Sequence, residues 1–105
     1  MTLDEFIQDL RTYICNRMPV WASYVDPELQ IDHFENTQII GEGQESQILI
    51  PGRFKTKPGP LVFQDLKHIF TNQIVTYQRQ HPSEYSFFVP TILFTPPCRF
   101  LIILS

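Results

Sequence analysis

The sequence predicts an α+β fold in which two helices cover one face of a four-stranded, mainly antiparallel sheet. Two segments repeat apolar residues at three- and four-residue steps, as amphipathic helices do, and each is followed by stretches that read as strands. In addition, nearly the same ten residues occur twice, as IQDLRTYICN over 7–16 and FQDLKHIFTN over 63–72. These observations predict a single 105-residue domain with the order αββαββ.

The first helix is predicted from about residue 3 to about residue 17. Thr2 and Glu5 have the form of a capping box, in which each side chain can accept from the other residue's backbone amide. An apolar stripe at helical spacing follows, and its members are Leu3, Phe6, Ile7, Leu10, Ile14 and Met18. Pro19 is expected to end the helix, because the residue before a proline is disfavoured in helical geometry.

The segment after this helix is predicted to be a loop that carries Trp21 and Tyr24. Each aromatic side chain either fills the core or stays exposed as an anchor for a partner. We favour the core, because a large apolar ring is most stable when it is removed from water.

The first hairpin is predicted from a change of period after the loop. Residues 29–34 alternate apolar and polar side chains, and residues 37–40 lead into a turn signal at Gly41–Gly43. A second strand is expected over 46–50, ending near Pro51-Gly52.

Two prolines bound the second helix. Pro60 suits the first helical position, where its missing amide costs nothing, and Pro82 closes the segment. The apolar stripe between them is longer than the first, and its members are Val62, Phe63, Leu66, Ile69, Phe70, Ile74 and Tyr77.

The second hairpin is predicted from residues 85–94 and 99–104. Pro90 interrupts the first of these strands, so it is expected at a bulge or with its amide side unpaired. Pro96-Pro97 marks the turn between the strands.

The repeated ten residues predict an internal duplication of a helix–strand–strand unit, over 2–52 and 58–105. Beyond the repeat, Ile48–Ile50 aligns with Ile102–Leu104 at nearly the same offset. The alternative is coincidence, but the matching order of elements favours duplication. The αββαββ order is also that of a ferredoxin-like βαββαβ chain whose first strand has moved to the end, an analogy of order only.

The last strand, Phe100–Leu104, is apolar on both faces, which is typical of a central strand that is covered on both sides. Two helices cover only one face. The other face then needs the chain's own loops, a second copy or another protein. We expect a partner-binding surface on this open sheet face around Phe88, Phe94 and Phe100, and a homodimer through it is the sharpest of these hypotheses.

Charge is segregated along the chain. Residues 18–52 contain six acidic residues and neither lysine nor arginine, whereas residues 53–81 contain five lysine or arginine residues and one acidic residue. Such runs are usually solvated faces, but they can also steer a partner or support head-to-tail self-association. A basic strip is therefore a second candidate partner-binding site, made of Arg53, Phe54, Lys55 and Lys57.

The basic strip also supports an alternative function, the binding of nucleic acid. Phe54 lies between basic residues, an arrangement that can hold single strands by stacking, and Lys67 and His68 could lie beside it. The net charge of −3 and the pI near 5.5 argue against this function, because nucleic-acid binders need a positive field.

A second alternative is a small enzyme that uses His33 and Glu35. Alternation along a strand places both side chains on one sheet face, where such a pair can exchange protons or hold a metal. A surface pair on a sheet is the commoner role. No nucleophile elbow, phosphate loop or metal-ligand spacing occurs in the sequence, so we expect no catalytic activity, no cofactor and no metal.

The expected function is that of a small cytoplasmic interaction, regulatory or inhibitory module that binds another protein or itself. The stretch MTLDEFIQDL lacks the basic and apolar regions of a signal peptide. The longest apolar run, Phe100–Leu104, is far shorter than the ~20 residues that cross a bilayer. Cys15 and Cys98 are widely spaced, which predicts buried, reduced thiols rather than a disulfide framework or a metal site.

Overall fold

The computed structural model describes residues 1–42 and 45–105 and confirms an α+β fold with helices packed on an antiparallel sheet. The elements follow the predicted order, with one strand more than expected. They are α1 (Leu3–Val25), β1 (Ile31–Phe34), β2 (Gln38–Ile40), β3 (Gln47–Phe54), α2 (Pro60–Gln80), β4 (Pro90–Thr95) and β5 (Arg99–Leu104). Gly43, part of the predicted turn, lies outside the described residues.

Helix α1 continues through Pro19 to Val25, so the predicted end at residue 17 is wrong. An internal proline costs a helix about 3 kcal/mol, because a hydrogen bond is lost and the ring crowds the preceding turn. Packing outweighs this cost. Ala22 is fully buried, and the ring of Trp21 lies 5.8 Å from that of Phe70 on α2. Two further turns of helix therefore join the core.

The sheet order is β1-β3-β5-β4, and β2 also pairs with β3. All described pairings are antiparallel. β5 lies between β3 and β4, as its two apolar faces predicted. The first predicted strand is divided into β1 and β2. In the interval between them, Arg11 of α1 donates to the Glu35 carbonyl at 2.7 Å and to Thr37 Oγ1 at 3.0 Å.

Strand β3 runs through Pro51-Gly52 to Phe54, so the predicted strand end at these two residues is also wrong. Pro51 lacks a donor, but its carbonyl accepts from the Glu35 amide at 2.9 Å. Gly52 stands opposite Phe100 on β5, and the phenyl ring of Phe100 covers the space where a Cβ would lie. The glycine makes room for a ring rather than for a turn.

Residues 85–87 lie in a turn and residues 88–89 belong to no strand, so the strand predicted over 85–89 is not formed. The buried Gln78 amide donates to the Phe88 carbonyl at 2.9 Å, which holds this segment against α2. Pro90 is the first residue of β4, an edge strand. The strand start is a position where a missing backbone donor breaks no ladder.

The core lies between the helices and one face of the sheet. Alternate residues of β3, β4 and β5 point into it and are buried, and these are Ile48, Ile50, Phe54, Ile92, Phe100, Ile102 and Leu104. Each helix contributes its predicted stripe. Among the residues that the structure describes, neither helix is apolar enough over sufficient length to cross a membrane.

The two halves are arranged symmetrically. In the first half β1 lies at the edge of the sheet and β3 at its centre, and in the second half β4 lies at the edge and β5 at the centre. The two central strands, β3 and β5, are adjacent. Leu49 pairs with Ile103, its equivalent at the offset that aligns Ile48–Ile50 with Ile102–Leu104. A duplicated unit related by a pseudo-two-fold axis would have this register, and the duplication itself stays a prediction.

Tyr77 joins α2 to α1. Its side chain is nearly fully buried, and its hydroxyl donates to the carboxylate of Asp9. Burial raises the pKa of the Tyr77 hydroxyl, and the hydrogen bond to Asp9 and the charge of its carboxylate raise it further. The neutral phenol is therefore favoured in the folded chain.

We expect Tyr77→Phe to lower the free energy of unfolding at pH 7 by about 1–2 kcal/mol, because a hydrogen bond to a charged group is lost. The pKa of Tyr77 is higher in the folded chain than the unfolded value of about 10. The stabilisation by its hydroxyl is therefore fully present below pH about 10 and is lost as the pH rises further. The variant should therefore lose less stability above that pH. Urea unfolding at neutral and alkaline pH measures both effects, with the exposed Tyr24→Phe as control. Equal alkaline losses in Tyr77→Phe and the wild type would contradict the assignment.

Candidate interaction surface

The sheet face opposite the helices, here called the open face, is covered by no element among the described residues. Successive cross-strand rows run across it. One end carries the arginine row, made of His33, Arg53, Arg99 and Thr95. Two apolar rows follow: Pro51, Leu101 and Leu93, and then Leu49, Ile103 and Thr91 with Gln38 of β2.

The apolar rows form a continuous patch, because cross-strand neighbours have Cβ atoms about 4.5–5.5 Å apart. Leu49, Leu101 and Ile103 are half-buried, and Leu93 on the edge strand is 47% exposed. The patch continues past the rows to Ile40, which is 52% exposed and pairs with Gln47. A sheet face with water on it usually carries polar side chains, so this patch needs an explanation.

Three of the predicted partner-binding residues do not lie on the open face, and that part of the prediction is wrong. Phe88 and Phe100 are 2% exposed in the core beneath the helices. Phe94 shares their side of the sheet, with its ring 4.5 Å from that of Phe63 on α2. Side chains alternate between faces along a strand, and the largest rings occupy the face that the helices cover.

The arginine row places two like charges side by side. Arg53 is directly opposite Arg99 in the register, an arrangement that destabilises a sheet unless a counter-charge is near. Glu35 supplies one, since its carboxylate lies 2.6 Å from the Arg99 guanidinium. Within residues 1–42 and 45–105 no ion pair involves Arg53, although Asp32 borders the same pocket as the two arginines.

The basic strip is divided between different parts of the molecule. Arg53 lies on the open face, Phe54 is 1% exposed in the core, and Lys55 donates to Gln30 Oε1 at 3.3 Å. Lys57 borders a groove of about 520 Å³ that is also lined by Phe63, by the prolines at the start of α2 and by Pro96 in the turn after β4. Burial of Phe54 removes the aromatic ring that the nucleic-acid alternative requires for stacking.

Lys67 and His68, which that alternative placed beside the strip, lie on the exposed side of α2. They border a shallow pocket with Gln64, Thr71 and Asn72. Since α2 packs on the covered face of the sheet, these two side chains do not join Arg53 on the open face.

His33 and Glu35 do not form the pair that the enzyme hypothesis requires. His33 Nδ1 lies 3.3 Å from the Asp32 carboxylate, and Glu35 is bound to Arg99. Glu35 follows the last residue of β1, so strand alternation no longer places it. Among the residues that the structure describes, no three histidine, cysteine, aspartate or glutamate side chains are grouped closely enough to hold a metal ion.

The two aromatic residues after Pro19 differ in role. Trp21 packs against the core between Tyr13 and Phe70, as favoured from the sequence, but on a helix rather than in a loop. Tyr24 is 85% exposed and borders a shallow pocket with His68. Tyr24 is therefore an exposed aromatic side chain on the helical side of the molecule.

The end of the open face opposite the arginine row is acidic. Glu42 and Glu45 are both exposed in the connection that enters β3 at Gln47. Sequence reasoning noted these acids only as part of a charged run. Their position at one end of β3, with Arg53 at the other, becomes evident only from the strand bounds.

Both cysteines are free and half-buried. Burial raises the pKa of the Cys15 thiol, although the nearby Arg11 guanidinium opposes this. Comparisons of the chain with protein-family models, with curated proteins and with solved structures find no significant match.

Proposed function

We propose that this protein is a small interaction module, of a regulatory or inhibitory kind and without catalysis, that acts through its open sheet face. The observation that carries the proposal is the pair of apolar rows, which place Leu49, Leu93, Leu101 and Ile103 together on a face that no described element covers. An apolar centre with a charged border is the usual anatomy of a protein–protein contact.

Energy considerations support the same assignment. Apolar area that leaves water contributes roughly 25 cal/mol per Å², so a face with several exposed aliphatic side chains is more stable when covered. Continuous exposed apolar patches on monomers commonly mark contact sites. We place the module in the cytoplasm, a proposal supported by the two free thiols, because disulfides are rare in that compartment.

Site-specific photo-cross-linking tests the proposal. A photoreactive phenylalanine analogue replaces Leu93 on the open face or, as a matched control, Gln64 on the exposed side of α2. Each variant is expressed in the source cells and irradiated, and the adducts are resolved by mass. We expect adducts at position 93 and not at position 64, because only position 93 lies in the apolar rows.

The mass of the adduct identifies the class of partner. An adduct of twice the chain mass shows contact between copies, and any other mass shows contact with a different protein. Adducts at position 64 alone, or none at position 93 in a chain that remains folded, would overturn the proposed function.

A further inference from the structure

We propose that the open face binds a second copy of this chain, with the two β3 strands crossing in opposite directions so that Arg53 of each copy meets Glu42 and Glu45 of the other. This inference rests on the proposed function and names its partner. It is carried by the charges at the two ends of β3 and by the apolar rows between them.

The charges are arranged for self-recognition. Arg53 lies next to the last residue of β3, and Glu42 and Glu45 lie just before its first. All three side chains are exposed, and no ion pair among the described residues involves them. A surface that carries both signs, separated along one strand, is complementary to itself after a half-turn.

The half-turn fits two-fold symmetry. In a two-fold dimer, when residue i contacts residue j, residue j also contacts residue i. An axis in the plane of the interface, perpendicular to β3 and passing near Leu49, reverses β3 of one copy over β3 of the other. Leu49 lies as many residues from Glu45 as from Arg53, so both ends come into register together.

The opposite orientation is disfavoured by charge. If the two β3 strands pointed the same way, Arg53 and Arg99 would face the same row of the partner, and Glu42 and Glu45 of the two copies would face each other. Like charges across an interface weaken association. The reversed orientation also lays the row of Leu49 and Ile103 on the same row of the partner and the row of Leu101 and Leu93 on the position of Gln47 and Ile40, at the aligned angle that is usual for stacked sheets.

The size of the face predicts a weak dimer. Four strand positions about 4.8 Å apart and eight residues of about 3.3 Å each give a footprint of roughly 500 Å² per copy. Stable interfaces bury about 800 Å² per partner, and smaller ones belong to transient complexes. We therefore expect a concentration-dependent dimer with a dissociation constant in the micromolar range.

Charge exchange tests the proposal by sedimentation equilibrium over a wide range of chain concentrations. Arg53→Glu and Glu45→Arg should each raise the dissociation constant of the dimer about tenfold, because each change places like charges together at two symmetric contacts. The double variant Arg53→Glu/Glu45→Arg should bring the constant back near the wild-type value, since the pair is restored with reversed signs.

Lys67→Glu is the matched control, because it makes the same change of charge on the exposed side of α2 and should leave the constant unchanged. Circular dichroism shows whether each variant remains folded. A wild type that stays monomeric at every concentration would overturn the dimer, and so would a double variant that is weaker than either single one. In that case, cross-links from position 93 to another protein would leave the proposed function intact.

Discussion

Gly52→Ala is expected to lower the free energy of unfolding by about 2–3 kcal/mol, the cost of overpacking a filled core. A Cβ at this position would lie 2.6 and 2.7 Å from the two Cε atoms of Phe100. The ring cannot move aside easily, because it is 2% exposed and its centre lies 4.7 Å from that of Phe54. Urea unfolding of the variant measures the loss.

Gly59→Ala is the matched control for this substitution, because nothing lies within 4 Å of a Cβ built there. We expect a change of at most about 0.5 kcal/mol, since the lost cap preference and the gain in backbone restriction oppose each other. A second substitution isolates the clash. The double variant Gly52→Ala/Phe100→Leu should lose less free energy of unfolding than the sum of the two single losses. We expect the difference to be about 1 kcal/mol or more. Strict additivity would contradict the proposed contact.

Phe70→Ala is expected to have the largest effect of all, about 3–5 kcal/mol. Phe70 is fully buried where the two helices meet the sheet, with its ring 5.8 Å from Trp21 and 6.5 Å from Phe100. Since a small domain has only about 5–15 kcal/mol of stability, the variant should be near its unfolding midpoint in mild denaturant. Phe87→Ala, at a ring that is 44% exposed, should cost much less.

The same residue tests whether α1 continues past Pro19. If Trp21 is helical and docks on Phe70, a double-mutant cycle between their alanine variants should give a coupling of about 0.5–1.5 kcal/mol, as for other aromatic pairs. A coupling near zero would mean that residues 20–25 do not pack on α2.

The fold class could be predicted from the sequence because it depends on local periodicity, which the chain carries plainly in both helices and in β5. The end of α1 could not be predicted in this way. The rule that a proline ends a helix is local, whereas the packing of Trp21 and Ala22 that outweighs it depends on α2, which lies far along the chain. The reading of Gly52 as a turn failed for the same reason, since the ring that it accommodates belongs to β5.

The location of the candidate site was predicted only in outline. Because Phe100–Leu104 is apolar on both of its faces, the sequence indicated that one apolar face of the sheet is open. It did not indicate which alternate residues form that face. That choice depends on which face the helices cover, and the aromatic residues expected outside were on the covered side. Leu93, Leu101 and Ile103 follow directly once the covered face is known.

The central claim is that the open face is the surface through which copies of this chain associate. Two-dimensional NMR of backbone amides, recorded on one sample before and after dilution, tests it most directly in a 12.4 kDa protein. We predict that the amide shifts that change on dilution belong to the open-face rows of β3, β4 and β5 and to Arg53 and Glu45. Shifts that change on the exposed sides of α1 and α2 instead, or spectra that do not change at any concentration, would contradict the account.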